Sequence, residues 1–293
     1  MRALIPELFL LSTVGFGQAQ QVNALLEKKT MSALQELAGK LDGVMGVAAI
    51  DLSTGHTIAM NATTVFPQAS SIKIPVMIQV FRDIRRGKLR MEQEVAADVK
   101  NLVDSSPRFK AAAEATGKMT IRQLIEAMIE VSDNAATNVL IQLVGMANVN
   151  AWLDSVQLKQ TRLRRKMIDI AAATRNEENV STPLEMAALV AKLYRGEVID
   201  KAASAEMIEI LSRVKGDFRR AIPEGVGVAA KPGELTGVRC ETGIVYLDKR
   251  PFVLSVASAF LGEKMNPVPE VAKIIFRHFE MLAKSNRYGR SLQ

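Results

Sequence analysis

The sequence predicts a mixed α/β (α+β) fold in which an antiparallel sheet is flanked by helices and carries an inserted all-helical domain. Three observations predict it: a strand–turn–strand pattern near the start of the chain, a long helical middle, and three strand patterns before a last helix. Because strand patterns occur near both chain ends, we expect the ends to share one sheet. We place the α/β domain at residues 20–68 and 215–293, and the helical domain at residues 69–214.

The individual elements follow from the spacing of apolar residues, which recurs every three to four positions in helices and every second position in half-buried strands. The predicted strands are short runs bounded by turn residues such as glycine and proline. In chain order we expect a helix at 21–41, strands at 46–52 and 56–60, helices at 72–81, at 120–145, from 182 onward and at 203–214, strands at 226–230, 243–247 and 252–259, and a helix at 270–283.

The first 19 residues have the pattern of a signal peptide. Arg2 supplies the positive charge, residues 8–16 form an apolar stretch, and residues 17–19 form a small-x-small cleavage site. The alternative is a short buried helix of the mature protein. We expect export to the periplasm or secretion. No later stretch reaches the roughly 18–20 apolar residues of a spanning helix, so we expect no stable membrane insertion.

The composition excludes several classes of function. The net charge of the 293 residues is +7, but basic residues are scattered among acidic ones and only 5% of residues are aromatic. A nucleic-acid partner is therefore not expected. His56 and His278 stand apart from any ligand or triad pattern, and we expect structural or surface roles for both. The single Cys240 excludes an intramolecular disulfide and is expected to be a small buried side chain.

A serine hydrolase without a catalytic histidine needs another base, and a lysine whose pKa is lowered by burial can serve. Ser70 and Lys73 lie one helical turn apart at the start of an apolar run, where helix N-terminal amides favour negative charge. A second Ser-x-x-Lys, from Ser212 to Lys215, is interpreted as a solvated helix end. The context of Ser70 therefore makes it the candidate nucleophile.

Two further polar motifs follow Ser70 and Lys73 along the chain. Ser132-Asp133-Asn134 comes after an apolar helix, and Lys231-Pro232-Gly233 ends the strand predicted at 226–230. Each alone fits a polar loop or an ordinary strand end. In this order the three motifs resemble the set of class A β-lactamases and penicillin-binding proteins, Ser-x-x-Lys, Ser-Asp-Asn and Lys-Thr-Gly.

The resemblance to class A β-lactamases covers nearly all of the mature chain. It is carried by further segments that resemble the first hairpin, the nucleophile, the two ends of the omega loop and a strand of the sheet, at 51–55, 61–62, 66–73, 161–165, 181–183 and 243–246. It implies a β-lactamase/D,D-peptidase-like fold and a small β-lactam or peptidoglycan-like substrate. It also implies a covalent acyl-enzyme, no metal or organic cofactor, and a monomer.

The resemblance implies catalytic roles residue by residue. Ser70 is the nucleophile, and Lys73 helps to activate it. Ser132 passes a proton to the leaving nitrogen. Lys231 holds the Ser132 hydroxyl and the substrate carboxylate, and Asn134 binds Lys73 and the side-chain amide of the substrate.

The Lys-x-Gly motif departs from the family at its middle position. Gly233 is retained, and the N–H of Glu234 is implied to form the oxyanion hole together with that of the nucleophile. Pro232 stands where the family has a hydroxyl residue that binds the substrate carboxylate. Thr236 or Arg239 is the expected substitute.

The omega loop shows a second departure. In class A a glutamate two positions after the loop arginine activates the deacylating water, and counting from Arg165 this position is Met167. The nearest carboxylate is Asp169, our candidate replacement base, and the asparagine expected at the end of the loop is Ala171. A positioned base is worth roughly 10²–10⁴-fold in rate.

Three functions remain open from the sequence. The first is β-lactam hydrolysis through a Ser70 acyl-enzyme. The second is a D,D-peptidase or esterase of the penicillin-binding type with slow deacylation, which the missing glutamate favours. The third is a non-catalytic relative, which Met167 and Pro232 favour and the intact polar motifs oppose.

Overall fold

The computed structural model describes residues 11–97 and 104–292, with side chains from residue 21 onward. Residues 1–10 of the predicted signal peptide lie outside the described residues, as do the side chains of its remainder. Within the described ranges, no helix combines the length and apolar character needed to span a membrane.

One five-stranded antiparallel sheet organises the chain, in the order β2-β1-β9-β8-β7. Strands from both chain ends form it, because β1 pairs with β9 along its whole length. Two small ribbons, β3 with β6 and β4 with β5, lie outside it. The strands are β1 (Val44–Asp51), β2 (Thr57–Met60), β3 (Phe66–Pro67), β4 (Glu94–Ala96), β5 (Lys118–Thr120), β6 (Val180–Ser181), β7 (Gly227–Leu235), β8 (Val238–Tyr246) and β9 (Phe252–Ala259).

Helices cover both faces of this sheet, which confirms the predicted mixed fold. They are α1 (Leu11–Gly39), α2 (Lys73–Arg85), α3 (Pro107–Thr116), α4 (Ile121–Glu130), α5 (Asn134–Val144), α6 (Met146–Ser155), α7 (Ile170–Thr174), α8 (Pro183–Arg195), α9 (Lys201–Ser212), α10 (Asp217–Ala221) and α11 (Val268–Ala283). The last helix, predicted at 270–283, has ends close to those of α11 because its apolar spacing is regular. The first was predicted at 21–41, but α1 begins ten residues earlier, at Leu11.

The two larger hydrophobic clusters of the described residues lie on opposite faces of the sheet, because successive residues of a strand point to opposite sides. Val47 belongs to the core shared with α1 and α11, whereas Ala48 belongs to the core shared with the helical middle. Helix α8 packs on β1, β8 and β9, although its residues fall within the predicted helical domain. The domain boundaries at residues 68 and 215 remain a prediction.

The helix predicted over 120–145 is interrupted, and this corrects our expectation. Helix α4 ends at Glu130, and α5 begins at Asn134 with Asp133 as its N-cap, which accepts a hydrogen bond from Ala136 N at 2.8 Å. Ser132 lies in the break and has a φ of 58°, a left-handed conformation that is uncommon for a residue with a side chain. The interruption places Ser132 where two helices meet.

The strands predicted at 226–230 and 243–247 are longer than expected. Strand β7 continues to Leu235, and β8 begins at Val238 after a turn in which Gly237 has a φ of 71°. Lys231, Pro232 and Gly233 therefore lie inside a strand, not at its end. Pro232 is tolerated because β7 is the edge of the sheet, where one side of the strand needs no ladder partner.

Candidate active site

Ser70 lies in a tight 3₁₀ turn, Ala69–Ile72, that leads directly into α2. We expected Ser70 to open the helix itself, whereas the α-helix begins at Lys73. The preceding Ala69 has a φ of 41°. A left-handed non-glycine residue costs on the order of 1–3 kcal/mol, and such strain concentrates at functional sites. The turn therefore presents Ser70 in a conformation that the surrounding packing imposes.

Lys73 is fully buried and connects two of the three motifs. Its Nζ donates to the carbonyl oxygen of Ser132 at 2.7 Å, to Ser132 Oγ at 3.0 Å and to Asn134 Oδ1 at 2.8 Å. Burial lowers its pKa well below the usual lysine value, and the positive charge of Lys231 lowers it further. An amine with a lowered pKa can accept a proton near neutral pH, as the predicted role requires.

Strand β7, which carries Lys231, packs closely against the turn that carries Ser70. A hydrogen bond from Ser71 holds the two together, and the lack of a side chain at Gly233 allows the close approach. Ser71 Oγ donates to the Lys231 carbonyl oxygen at 2.9 Å. A Cβ atom at Gly233 would lie 2.8 Å from Ser70 N and 2.7 Å from Cys240 Sγ. Any larger residue at position 233 would push β7 away from Ser70. The Lys-x-Gly glycine is thus explained by this close approach.

A cavity of about 810 Å³ opens beside Ser70 and gathers most of the predicted site. Lys73 is not among the lining residues, but its Nζ donates hydrogen bonds to Ser132 and Asn134, which are. The predicted residues that line the cavity are Ser70, Ser132, Asn134, Lys231, Gly233, Glu234 and Arg239. Three motifs far apart in the sequence therefore meet around one space large enough for a small-molecule substrate.

Part of the cavity wall was not predicted. Asp104 lines it and accepts a hydrogen bond from Asn134 Nδ2 at 3.0 Å. Asp133 is buried and accepts from Ser106 N and Ser106 Oγ, both at 2.6 Å, so it fastens this wall to α5. Ser106 followed by Pro107 is a helix-start signal that we had not used. Lys215, interpreted as a solvated helix end, is exposed but also lines the cavity.

Of the two expected substitutes for the missing hydroxyl at Pro232, one does not line the main cavity and the other is already paired. Thr236 is exposed in the β7–β8 turn and lines a different cavity. Arg239 lines the main cavity, but its guanidinium pairs with Glu234 at 2.7 Å and donates to the Leu235 carbonyl oxygen at 3.0 Å. A substrate carboxylate at Arg239 would therefore compete with Glu234.

The loop before α8 is held by buried polar contacts. Arg165 is 7% exposed and pairs with Glu178 at 2.7 Å. The backbone of Met167 is fixed by Asn138, whose Oδ1 accepts from Met167 N at 2.7 Å and whose Nδ2 donates to its carbonyl oxygen at 3.1 Å. The Met167 side chain is itself buried, within the core of the helical region. The position of the missing glutamate is thus rigid and apolar.

The structure does not bring Asp169, the candidate replacement base, to the reacting residues. Its side chain is exposed and caps α7, accepting from Ala172 N at 2.9 Å. It does not line the cavity that contains Ser70. Helix capping explains its presence.

We expect Asp169→Asn to leave the deacylation rate within about twofold of wild type, because asparagine caps a helix about as well as aspartate. Asp169→Ala should lower the free energy of unfolding by about 0.5–2 kcal/mol with the same rate. Deacylation measured by intact mass spectrometry, beside thermal unfolding, tests both. A tenfold slower deacylation in Asp169→Asn would contradict this placement.

The remaining titratable candidates have structural roles, as predicted. His278 Nδ1 lies 2.9 Å from Thr30 Oγ1 in the core between α1 and α11, and His56 pairs with Glu27 at the surface. Cys240 is buried, and burial raises the pKa of its thiol to about 11. A thiol that stays protonated at neutral pH is a poor nucleophile.

The sequence pattern of the Beta-lactamase enzyme family matches residues 29–279. The chain belongs to this family. It is a β-lactamase-like serine hydrolase. A solved variant of a reconstructed class A β-lactamase, the last common ancestor of Gram-negative bacteria, has 27% identity and a TM-score of 0.79, covering 87% of this chain and 98% of its own.

Two other solved structures share the fold of this β-lactamase-family protein. The β-lactamase from Sphaerobacter thermophilus has 24% identity and a TM-score of 0.76, covering 87% of this chain and 96% of its own. PBP-A has 20% identity and a TM-score of 0.75, covering 95% of this chain and 99% of its own. The fold is thus that of class A β-lactamases and of PBP-A.

Proposed function

We propose that this protein opens β-lactam amides through a covalent Ser70 acyl-enzyme and that deacylation limits its turnover. The single observation that carries the proposal is the buried amine of Lys73. Lys73 follows Ser70 by one helical turn, and its Nζ donates hydrogen bonds to Ser132 and Asn134. A lysine with this burial has no structural need that an apolar residue could not meet. The arrangement supplies a nucleophile, a base and a proton donor at one cavity.

The proposed acylation transfers one proton and exchanges one bond. Ser70 Oγ attacks the carbonyl carbon of the lactam while its proton passes to Lys73. The C–N bond of the lactam then breaks, and the proton reaches the leaving nitrogen through Ser132, which contacts Lys73 at 3.0 Å. Hydrolysis by water releases the opened product and restores the Ser70 hydroxyl.

Slow deacylation follows from what surrounds the site. Met167 carries no base, and the carboxylate of Asp169 is engaged at the start of α7. A missing general base slows a hydrolytic step by roughly 10²–10⁴-fold. These contacts also support a second function, a D,D-peptidase or esterase of the penicillin-binding type, in which the acyl-enzyme is long-lived with β-lactams.

Intact-protein mass spectrometry over time tests the proposal, with a penicillin and with a chromogenic cephalosporin. We expect an adduct of the full mass of the penicillin that forms faster than it clears, with product released. Ser70→Ala should form no adduct. Ser212→Ala, in the other Ser-x-x-Lys of the chain, is the matched control and should behave as wild type.

The other outcomes separate the alternatives. An adduct that never clears, together with cleavage of a peptide or ester ending in D-alanine, would establish the penicillin-binding type of enzyme. A wild-type protein that forms no adduct with either compound would contradict both enzyme functions and leave the non-catalytic relative.

We further propose that the protein acts as a monomer in the periplasm or outside the cell. The N-terminal pattern at residues 1–19 supports export. The mass of the protein recovered from the periplasmic fraction tests this, because cleavage after Ala19 removes 19 residues. Full-length protein confined to the cytoplasm would contradict export.

A further inference from the structure

A second cavity, of about 580 Å³, lies between α8, α9 and the last residue of β8. Its walls include Tyr194 from α8, Tyr246 from β8, and Lys201 and Ser204 from α9. Among the described residues, none lines both this cavity and the one that contains Ser70. The acylation proposed above therefore does not account for the second cavity.

Two tyrosine rings form an aromatic wall of this cavity. The ring centroids of Tyr194 and Tyr246 are 6.2 Å apart at an angle of 50°, and the two residues are 36% and 37% exposed. A ring between them would need a gap of roughly 7–8 Å, twice the contact distance of carbon atoms, so a third ring packs beside the pair. Burial raises the pKa of Tyr246 to about 12, so its phenol stays neutral and does not repel an anion.

Ser204 gives the cavity a polar group that lacks a partner. The residue lines the cavity and is 2% exposed. The carbonyl oxygen of Asp200, one turn earlier, accepts from the backbone N–H of Ser204 at 3.0 Å, whereas Ser204 Oγ forms no hydrogen bond with any described residue. A buried hydroxyl without a partner costs free energy, and a ligand oxygen that accepts its proton would remove this cost.

The uncompensated charge at this cavity is positive. Arg195 and Lys201 line it, are exposed, and form no ion pair with a described residue. Glu209, an acidic residue of the wall, pairs with Arg213 at 2.5 Å. A Cβ atom at Gly196 would lie 2.9 Å from Lys201 Cγ, so the lysine side chain lies close against the turn after α8. Two cations without partners favour an anionic ligand.

We propose that this cavity is a binding site for a small aromatic acid. The ring of the ligand packs beside Tyr194 and Tyr246. Its carboxylate accepts from the Ser204 hydroxyl and is neutralised by Arg195 and by Lys201, three residues before Ser204 on the same face of α9. An uncharged aromatic ligand would leave both cations without a partner, and a small inorganic anion would leave the tyrosine rings without one.

Nuclear magnetic resonance of ring-labelled tyrosine tests the proposal, because the chain contains three tyrosines. The probe is 2-naphthoate, titrated into the wild-type protein. We expect saturable shifts of the Tyr194 and Tyr246 signals, assigned from Tyr194→Phe and Tyr246→Phe, with a dissociation constant on the order of 1 mM or below. Tyr288, in a turn after α11, is the internal control and should not shift.

Two relatives of the probe separate the contributions of its ring and its charge. 2-Naphthamide keeps the rings without the charge, and cyclohexanecarboxylate keeps the charge without an aromatic ring. We expect each to bind at least about tenfold more weakly than 2-naphthoate, whose own binding should weaken as added salt screens the two cations. Binding of either relative as tightly as 2-naphthoate would overturn the assignment of an aromatic acid.

Substitutions in α9 test the polar contacts. Ser204→Ala should weaken binding by about twofold to tenfold, the usual effect of one lost hydrogen bond, without lowering the melting temperature, because the hydroxyl has no partner in the free protein. Lys201→Gln should weaken binding by a similar factor. Lys159→Gln, at an exposed position outside the cavity, is the matched control and should bind like wild type.

Two results would overturn the proposal. One is the absence of saturable shifts of Tyr194 and Tyr246 up to about 10 mM 2-naphthoate, well above the expected dissociation constant. The other is an affinity that is unchanged in both Ser204→Ala and Lys201→Gln. None of these titrations involves acylation of Ser70, so this proposal and the proposed function can fail separately.

Discussion

Replacing Lys73 by methionine is expected to slow acylation of Ser70 by about 10²–10⁴-fold, the usual contribution of a positioned base. Methionine matches the length of lysine and suits a site with no exposed surface. It removes the proton acceptor and the three hydrogen bonds to Ser132 and Asn134. The appearance of the β-lactam adduct by rapid mixing and mass spectrometry measures the rate.

The pH dependence adds a second expectation for the same residue. Lys73 accepts a proton only when neutral, so the acylation rate should rise as pH passes its pKa. Because burial lowers that pKa, the rise should end well below the usual lysine value. Lys73→Met should lose this rise.

Loss of fold is the competing explanation for a slow Lys73→Met variant. Removing a buried cation is often neutral or stabilising, so we expect thermal unfolding close to that of wild type. Lys273→Met, at an exposed position of α11, is the control and should keep the wild-type rate. A folded Lys73→Met variant that acylates as fast as wild type would contradict the assigned base.

Replacing Met167 by glutamate is expected to accelerate deacylation by about 10²-fold, within the range for a general base. Two hydrogen bonds with Asn138 hold the backbone of Met167, so a carboxylate at this position would start from a fixed main chain. The decay of the acyl-enzyme after removal of excess penicillin measures the rate. The wild-type adduct should persist much longer.

The substitution has a cost in stability, because the Met167 side chain is 7% exposed and packs in the core. An unpaired carboxylate there should lower the free energy of unfolding by about 1–3 kcal/mol. Met167→Gln is the matched control, because glutamine has nearly the volume of glutamate but cannot act as a base. We expect this variant to deacylate like wild type. Equal deacylation in the glutamate and glutamine variants would show that deacylation is not limited by this position.

The ends of helices and strands could be predicted from the sequence where the apolar residues are regularly spaced, and not elsewhere. Helix α11 and strand β9 were predicted near their true ends because their apolar residues follow one period. The helix over 120–145 was predicted without its break because the apolar spacing continues from α4 into α5. The left-handed backbone of Ser132, whose carbonyl oxygen accepts from Lys73 Nζ, has no signal in that spacing. Strand β7 was predicted too short because Lys231, Pro232 and Gly233 do not look like strand residues.

The candidate site shows the same division. Five site residues could be named from the sequence alone, because the three motifs are recognised by their residue types and their order along the chain. They are Ser70, Lys73, Ser132, Asn134 and Lys231. Asp169, by contrast, is close to the expected position in sequence, yet its carboxylate caps α7.

By itself, then, the sequence determined the fold class, the family resemblance, the three motifs and the absence of a glutamate at Met167, because these reside in residue identity and local spacing. Only the tertiary structure decided which carboxylates and cations reach the cavity. It placed Asp169 and Thr236 outside the lining of the cavity that contains Ser70 and showed Arg239 paired with Glu234. The physical reason is that burial and charge depend on neighbours from distant parts of the chain, which packing alone brings together.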